Sequence, residues 1–242
     1  MKQHEAVILT LKKLGGQAAL ANLYEEVMKV EDCRWGAKTP FATIRRIVQH
    51  RPEIFRVRPG LYALRSYQKK LGLVEYSSDK AESPEERKHS HSHYQGLVVT
   101  IGNLRELKTY VPGQDKNKPF DGKTLKELCT LETLPKFSHE QLVKRSAFVD
   151  VIWFNQRLMP NSFFEIEHTT DIQNSLLKFY DLQDFYARMF IIADKNRRLE
   201  FEQKINLGAL TEIKKRVEFV DYESLGKQYE NELERASQRF TI

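Results

Sequence analysis

Three carboxylates in the second half of the chain have residue types and spacing suited to a metal-dependent catalytic site: Asp150, Glu165 and Glu167. Residues 147–154 and 162–168 each have the aromatic and aliphatic composition of a strand. Side chains two residues apart in a strand point to one face, so Glu165 and Glu167 project side by side. We expect Asp150 in the middle of the preceding strand, where an unpaired carboxylate costs several kcal/mol.

The charge of such a cluster predicts a divalent cation. Converging carboxylates repel one another, and Mg²⁺ suits an all-oxygen site, with Mn²⁺ as an alternative ion. A bound ion of this kind polarises a phosphate and activates water for in-line attack, which is the chemistry of phosphodiester hydrolysis. The alternative is structural, because an acidic pair on an edge strand is commonly just solvated.

The surrounding elements predict an α/β domain, α+β over the whole chain. The near-continuous apolar run FVDVIWF is typical of a strand covered on both faces. Alternating strands and helices predict a mixed sheet flanked by helices. The predicted strands are 107–112, 147–154, 162–168, 189–193 and 217–220. The predicted helices are 93–101, 170–186, 196–205 and a C-terminal helix.

The segments DVIWF and FFEIEHTT resemble the core of the PD-(D/E)XK superfamily, to which many restriction endonucleases belong. In that superfamily an Asp opens the motif, and Glu-X-Lys follows on the next strand. The resemblance implies that Asp150 and Glu165 bind the metal, and that the first core helix adds a residue, here Gln95, to the catalytic set. Glu167 stands in place of the usual Lys, as in some restriction enzymes, and would orient or deprotonate the attacking water.

The N-terminal segment carries the positive charge of the chain. Residues 1–70 hold 14 Lys and Arg against 6 Asp and Glu, a net charge of +8, whereas the whole chain has +6. The remaining residues are therefore slightly acidic, at −2. An excess confined to one segment indicates an anionic partner, for which nucleic acid is the first candidate and an acidic membrane surface the alternative.

The same segment has the pattern of three helices and a two-stranded wing. The predicted helices are 5–14, 20–28 and one capped by Thr39, with Pro40 first and an end near Arg51. Strands at 54–58 and 61–64 flank a Pro59-Gly60 turn. Residues 5–64 resemble the HARE-type winged helix, through the run Trp35-Gly36…Lys38-Thr39-Pro40…Thr43-Ile44 and the ending Phe55-Arg56-Val57…Pro59-Gly60-Leu61-Tyr62-Ala63-Leu64. The resemblance implies DNA binding and a role in sensing modified bases.

The third helix is expected to contact DNA, because its face opposite the apolar residues carries small or hydrogen-bonding groups. The alternative is a solvated basic helix that packs against protein. His168 and Thr169, at the end of the strand that carries Glu165 and Glu167, are also expected to approach the DNA, although a helix cap is an equal interpretation for Thr169 or Thr170. The predicted DNA-binding residues are Lys38, Thr39, Thr43, Arg45, Arg46, Gln49, His50, Arg56, Arg58, His168 and Thr169.

We expect a winged-helix domain at 1–70, a linker at 71–90 and a nuclease-like domain at 91–242. The linker rests on the polar run 75–89, which is also compatible with the polar start of a helix. Alternate histidines at 89–93 could bind a metal, but no cysteine or carboxylate cluster accompanies them in the sequence. We interpret them as the end of the linker.

These observations predict a Mg²⁺-dependent restriction-type endonuclease that binds double-stranded DNA. No apolar run reaches the length of a membrane span, so we expect a cytoplasmic protein with no membrane partner, whose Cys33 and Cys129 are reduced. Cutting two strands favours a homodimer. The alternatives are a DNA reader that uses the nuclease fold as a scaffold, and a structural partner of a methyltransferase.

Overall fold

The computed structural model describes residues 1–36, 40–77 and 84–239, and the side chains of 84–89 and 237–239 are left aside. Two of the predicted DNA-binding residues, Lys38 and Thr39, lie outside the described residues. The chain divides into two compact units. An N-terminal unit comprises residues 1–80 with 226–242, and a central unit comprises 81–225.

The N-terminal unit begins with three helices, which are followed by a β-hairpin. Its elements are α1 (Gln3–Lys13), β1 (Gln17–Ala19), α2 (Leu20–Val27), α3 (Pro40–His50), β2 (Ile54–Arg58) and β3 (Leu61–Leu64). The strands form an antiparallel sheet in the order β1-β3-β2. Gly60 has φ +76°, which the hairpin turn requires and glycine adopts without strain. The three predicted helices and the predicted hairpin are present, but β1, which lies between α1 and α2 and pairs with β3, was not predicted.

The central unit contains a five-stranded mixed sheet. Its elements are α4 (Pro84–Leu104), β4 (Lys108–Tyr110), β5 (Pro119–Phe120), β6 (Lys123–Thr124), α5 (Leu125–Leu128), α6 (Glu140–Ser146), β7 (Val151–Phe154), β8 (Pro160–Glu167), α7 (Ile172–Asp181), β9 (Arg188–Ala193), α8 (Arg198–Ile205) and β10 (Val217–Asp221). The strand order is β10-β9-β8-β7-β4. β4, β7 and β8 pair antiparallel, whereas β8, β9 and β10 pair parallel, so the predicted α+β fold with a mixed sheet is confirmed.

Helices cover both faces of this sheet, as its apolar strands predict. Ile152 and Phe163 pack with Leu176 and Phe179 of α7 in one buried cluster. On the other face, Trp153 Nε1 donates a hydrogen bond to the Val98 carbonyl of α4, at 3.2 Å. The middle strands are thus held rigidly between two helices, which fixes the position of any side chain at their ends.

Two boundaries differ from those expected. Helix α4 begins at Pro84, so the polar run before residue 90 ends as the start of a helix. The expectation that Asp150 lies in the middle of a strand is wrong, because β7 begins only at Val151. The reason is a turn after α6, in which the Val149 amide donates to the Ser146 carbonyl and Phe148 is exposed.

The last helix, α9 (Tyr222–Arg239), belongs from residue 226 onward to the N-terminal unit. Tyr229 is fully buried there, and its hydroxyl accepts a hydrogen bond from the Ala21 amide at 3.0 Å. The Tyr62 hydroxyl donates to Glu230 at 3.1 Å. Amphipathic periodicity predicts that one face of a helix is buried, but it does not predict which part of the protein that face packs against. Across the described parts of the chain, we find no helix with the length and apolar character needed to span a bilayer.

Candidate active site

The structure brings Asp150 and Glu165 together at the junction of β7 and β8. Val151 is paired with Phe164, so Asp150 lies one position before that pair. The Asp150 Oδ2 atom accepts a hydrogen bond from the backbone amide of Ile166 at 2.8 Å. This contact fixes the Asp150 carboxylate beside the strand that carries Glu165, as the sequence pattern requires.

Glu165 is a buried carboxylate with one satisfied oxygen. Its side chain is 1% exposed, and Oε2 accepts hydrogen bonds from Lys178 Nζ at 2.7 Å and from Ser175 Oγ at 3.0 Å. The other oxygen, Oε1, has no hydrogen-bond partner among the residues that the structure describes. Burial raises the pKa of Glu165 well above its ordinary value, the charge of Asp150 raises it further, and Lys178 opposes both.

Glu167 lies on the same face of β8 but is held by hydroxyl groups. It is 4% exposed and accepts short hydrogen bonds from Ser175 Oγ and Thr170 Oγ1. Ser175 therefore bridges Glu165 and Glu167. The helix-cap interpretation of Thr170 is wrong, because Asp171 is the N-cap of α7 and accepts from the Gln173 amide.

Lys178 of α7, which the sequence pattern did not predict as a site residue, supplies an ammonium group beside the three carboxylates. Its Nζ lies 2.7 Å from Glu165 Oε2 and 3.2 Å from the Phe148 carbonyl. Burial alone would lower the pKa of Lys178, but the charges of Glu165, Asp150 and Glu167 outweigh burial and raise it. The only signal in the sequence is that Ser175 and Lys178 lie three residues apart, on one helix face.

Residues of α4 and of the loop after β4 complete the surroundings of Asp150. Gln95 is fully buried, and its Nε2 donates to Asp115 Oδ2 at 2.6 Å and to the Asp150 carbonyl at 3.1 Å. His91 Nε2 lies 3.6 Å from Asp150 Oδ1. One potential ligand atom from each of His91, Asp115 and Asp150 lies within 4.8 Å of the others. The structure thus brings Gln95 to Asp150, and it adds His91, which the sequence analysis had assigned to a linker.

His168 is turned toward the protein interior rather than toward solvent. Its Nδ1 lies 2.7 Å from the Tyr222 hydroxyl, which donates to the Glu167 carbonyl at 3.1 Å, and its Nε2 lies 3.4 Å from Ser90 Oγ. Thr169, in contrast, is exposed. Of these two predicted DNA-binding residues, Thr169 is exposed and His168 is half-buried.

Comparison with known families assigns most of the chain to a restriction-enzyme domain. The family of the type II restriction enzyme NmeDI C-terminal domain matches residues 73–240. The chain belongs to this family. No curated protein and no solved structure matches this chain. The matched range includes Asp150, Glu165, Glu167, Lys178, Gln95 and His91, and it excludes α1 to β3.

Helix α3 lies outside the matched range, and its predicted DNA-binding residues fall into two sets. Thr43, Arg46 and His50 line an open groove of about 550 Å³, whose other lining residues are Met1, Lys2, Gln3, His4, Ile47 and Arg51. Arg45 instead forms an ion pair with Glu234 of α9 at 3.0 Å. Gln49 Nε2 donates to Glu230 Oε2 of the same helix at 3.5 Å. Acidic groups of α9 therefore occupy one side of α3.

The two arginines of β2, Arg56 and Arg58, are half-buried at the hairpin. The Arg56 guanidinium stands over the Tyr76 ring, 5.3 Å from its centroid. A stacked guanidinium retains its charge and its hydrogen-bonding edge.

Proposed function

We propose that this chain is a Mg²⁺-dependent DNA endonuclease of the restriction type, in which the central unit cuts the phosphodiester bond. The observation that carries the proposal is the Asp150 carboxylate, hydrogen-bonded to the Ile166 amide beside the buried Glu165. Membership of the NmeDI-type family supports the same class of protein.

The donor set fits a divalent cation. Glu165 Oε1 is buried without a hydrogen-bond donor in the described part of the chain, which is unfavourable unless a cation or water occupies the adjacent space. Asp150 and Glu165 would hold the ion, with Mn²⁺ as an alternative to Mg²⁺. When bound, such an ion stabilises charge on the phosphate and lowers the pKa of a water molecule.

The other residues would position these two carboxylates. The Ser175 hydroxyl lies within hydrogen-bond distance of both Glu165 and Glu167, and Lys178 restrains Glu165 Oε2. Gln95 holds Asp115 against the backbone of Asp150. Glu167 has both oxygens occupied by hydroxyl donors, which favours orientation of the site over removal of a proton from water.

Cleavage of supercoiled plasmid tests this proposal. We expect the wild-type chain with Mg²⁺ or Mn²⁺ to cut, and Asp150→Ala and Glu165→Ala to lose activity by about a hundredfold or more. Glu140→Ala is the matched control, because Glu140 is an exposed acid whose side chain is 80% accessible. Equal cleavage by all four proteins would remove the two carboxylates from the mechanism.

The N-terminal unit is proposed to be a winged helix that binds double-stranded DNA. Its order of three helices and a hairpin, its net charge of +8 over residues 1–70, and the groove at α3 support this role. Thr43, Arg46, His50, Arg56 and Arg58 remain the candidate contacts. Arg45 and Gln49 contact Glu234 and Glu230 of α9, so DNA would have to compete with these contacts.

A second candidate function is DNA binding without cleavage. Lys178 favours it, because an ammonium group already compensates part of the carboxylate charge. Calorimetric titration separates the two functions. Tight DNA binding with no uptake of Mg²⁺ or Mn²⁺ would support the reader, whereas uptake that Asp150→Ala abolishes supports the nuclease.

A further inference from the structure

Helix α4 directs two polar side chains at the start of β7. His91 and Gln95 are four residues apart, so they lie on one face of the helix. His91 Nε2 lies 3.6 Å from Asp150 Oδ1, and Gln95 Nε2 donates to the Asp150 carbonyl. An imidazole nitrogen is therefore next to the carboxylate on which the proposed nuclease depends.

The spacing of the donor atoms fits a single ion. One atom each from His91, Asp115 and Asp150 lies within 4.8 Å of the others. With bonds of about 2.2 Å, neighbouring ligand atoms of one ion lie about 3.1 Å apart and opposite ones about 4.4 Å, a range that includes the 3.6 Å between His91 Nε2 and Asp150 Oδ1. Side-chain shifts of a few tenths of an ångström would complete the coordination.

A buried amide oxygen provides an independent indication of a ligand. Gln95 is fully buried and its Nε2 is fixed by Asp115 and Asp150, yet its Oε1 has no hydrogen-bond donor among the residues described. A buried carbonyl oxygen without a partner costs free energy, which a metal ion or its bound water would recover. The same amide group is bonded to the cluster through its Nε2 atom.

Charge and access are compatible with an incoming cation. Asp115 is 3% exposed, and Lys118 Nζ contacts its Oδ1 at 2.5 Å. The Lys118 side chain is 36% exposed and can turn to solvent when a cation replaces it. The side chains of His91 and Asp150 are 21% and 15% exposed, so an ion reaches them from solvent.

We propose that His91, Asp115 and Asp150 bind an ion of their own, next to the ion that Asp150 and Glu165 would hold, and that this second site, with its nitrogen ligand, selects transition ions such as Mn²⁺ over Mg²⁺. Imidazole binds transition ions well, whereas Mg²⁺ keeps water and oxygen ligands. The inference deepens the proposed nuclease function and rests on its metal site at Asp150.

Calorimetric titration of the full chain with MnCl₂ and with MgCl₂, without DNA, tests the proposal. We expect the wild type to bind Mn²⁺ more tightly, and His91→Asn to weaken Mn²⁺ binding by about tenfold or more while changing Mg²⁺ binding by less than about threefold. His139→Asn is the matched control, since His139 is exposed and its side chain makes no capping hydrogen bond. Asp115→Asn should weaken the binding of both Mn²⁺ and Mg²⁺.

Electron spin echo modulation of the Mn²⁺-loaded protein gives a second readout. Coupling to an imidazole nitrogen is expected in the wild type and in His139→Asn, and its loss is expected in His91→Asn. Absence of nitrogen coupling in the wild type would overturn the inference, even if a variant failed to fold. Unchanged Mn²⁺ affinity in His91→Asn would overturn it as well. Failure of the proposed nuclease function would differ, appearing as absent plasmid cleavage with normal Mn²⁺ binding.

Discussion

The ammonium group of Lys178 changes the charge balance expected for three neighbouring carboxylates. The sequence pattern predicts that only a metal ion relieves their repulsion, but Lys178 lies 2.7 Å from Glu165 and is also influenced by Asp150 and Glu167. An ion pair of this kind is costly to break, because the remaining charge stays buried. Lys178 is therefore a structural requirement of the metal-free site.

Replacing Lys178 by Met should lower the free energy of unfolding by about 2 kcal/mol, because Glu165 loses its cation. The loss is smaller than for a fully buried pair, since the Lys178 side chain is 29% exposed. Urea unfolding in the presence of a chelator measures it. Lys144→Met is the control, because Lys144 and Glu140 form an exposed pair whose loss costs less than about 0.5 kcal/mol. Equal losses in the two variants would show that Lys178 has no special role.

Glu165 should also make stability depend on pH. Its pKa is raised above the ordinary value of 4.5 in the folded protein, so the folded state retains a proton that the unfolded state releases. Its contribution to stability is full below pH 4.5 and is lost as the pH rises through the folded pKa, by at most about 1.4 kcal/mol per pH unit. Glu165→Gln removes this dependence.

Urea unfolding of the metal-free wild type and of Glu165→Gln, from about pH 5 to about pH 8, checks the sign. The free energy of unfolding of Glu165→Gln minus that of the wild type should increase with pH, because only the wild type loses stability as the pH rises. Parallel curves would mean that Glu165 has the same affinity for protons in both states.

Contacts between side chains from distant elements could not be predicted from sequence. Glu165 and Glu167 follow from the two-residue period of a strand, and their common face is confirmed by shared contact with Ser175. His91 and Lys178 depend on how α4 and α7 pack against that strand, which no local pattern specifies. Their residue types were visible in the sequence, but their partners were not.

At the scale of elements, strong local signals such as proline were sufficient to predict where a helix begins and ends. Pro40 begins α3, and the helix ends at His50, before Pro52, as predicted. The start of α4 was missed because its first turns are polar and lack apolar periodicity. The first residues of β7 were overestimated because Ala147 to Val149 are apolar and yet form a turn after α6.

Helix α9 should be necessary for the stability of the N-terminal unit. Tyr229 is fully buried and bonded to the Ala21 amide, so Tyr229→Ala should cost about 4 kcal/mol. Hydrogen exchange by mass spectrometry locates the effect, and we expect faster exchange in α1, α2 and β3. Tyr186→Ala is the control, because that ring is fully exposed. Faster exchange confined to β7 and β8 would contradict this assignment of α9.

At the scale of the whole molecule, affinity and chemistry should be separable. Arg46 is exposed beside the α3 groove, whereas Arg45 is paired with Glu234. Arg46→Gln should weaken DNA binding and reduce the slope of log K against log salt by about 0.9, the effect of one lost phosphate contact. Arg45→Gln should leave the slope nearly unchanged. Fluorescence anisotropy over a range of salt concentrations measures both slopes, and equal slopes for the two variants would contradict the proposed DNA-binding face.

The last prediction concerns the number of chains that cut one DNA molecule. Asp150 and Glu165 form one set of carboxylates per chain, whereas duplex DNA has two strands to cleave. If a homodimer makes both cuts in one encounter, subunits mixed with excess Asp150→Ala should form heterodimers that cut a single strand. Nicked plasmid should then accumulate, while the wild type alone gives linear product directly. A chain that acts alone would give the same ratio of nicked to linear plasmid at every mixing ratio, only more slowly.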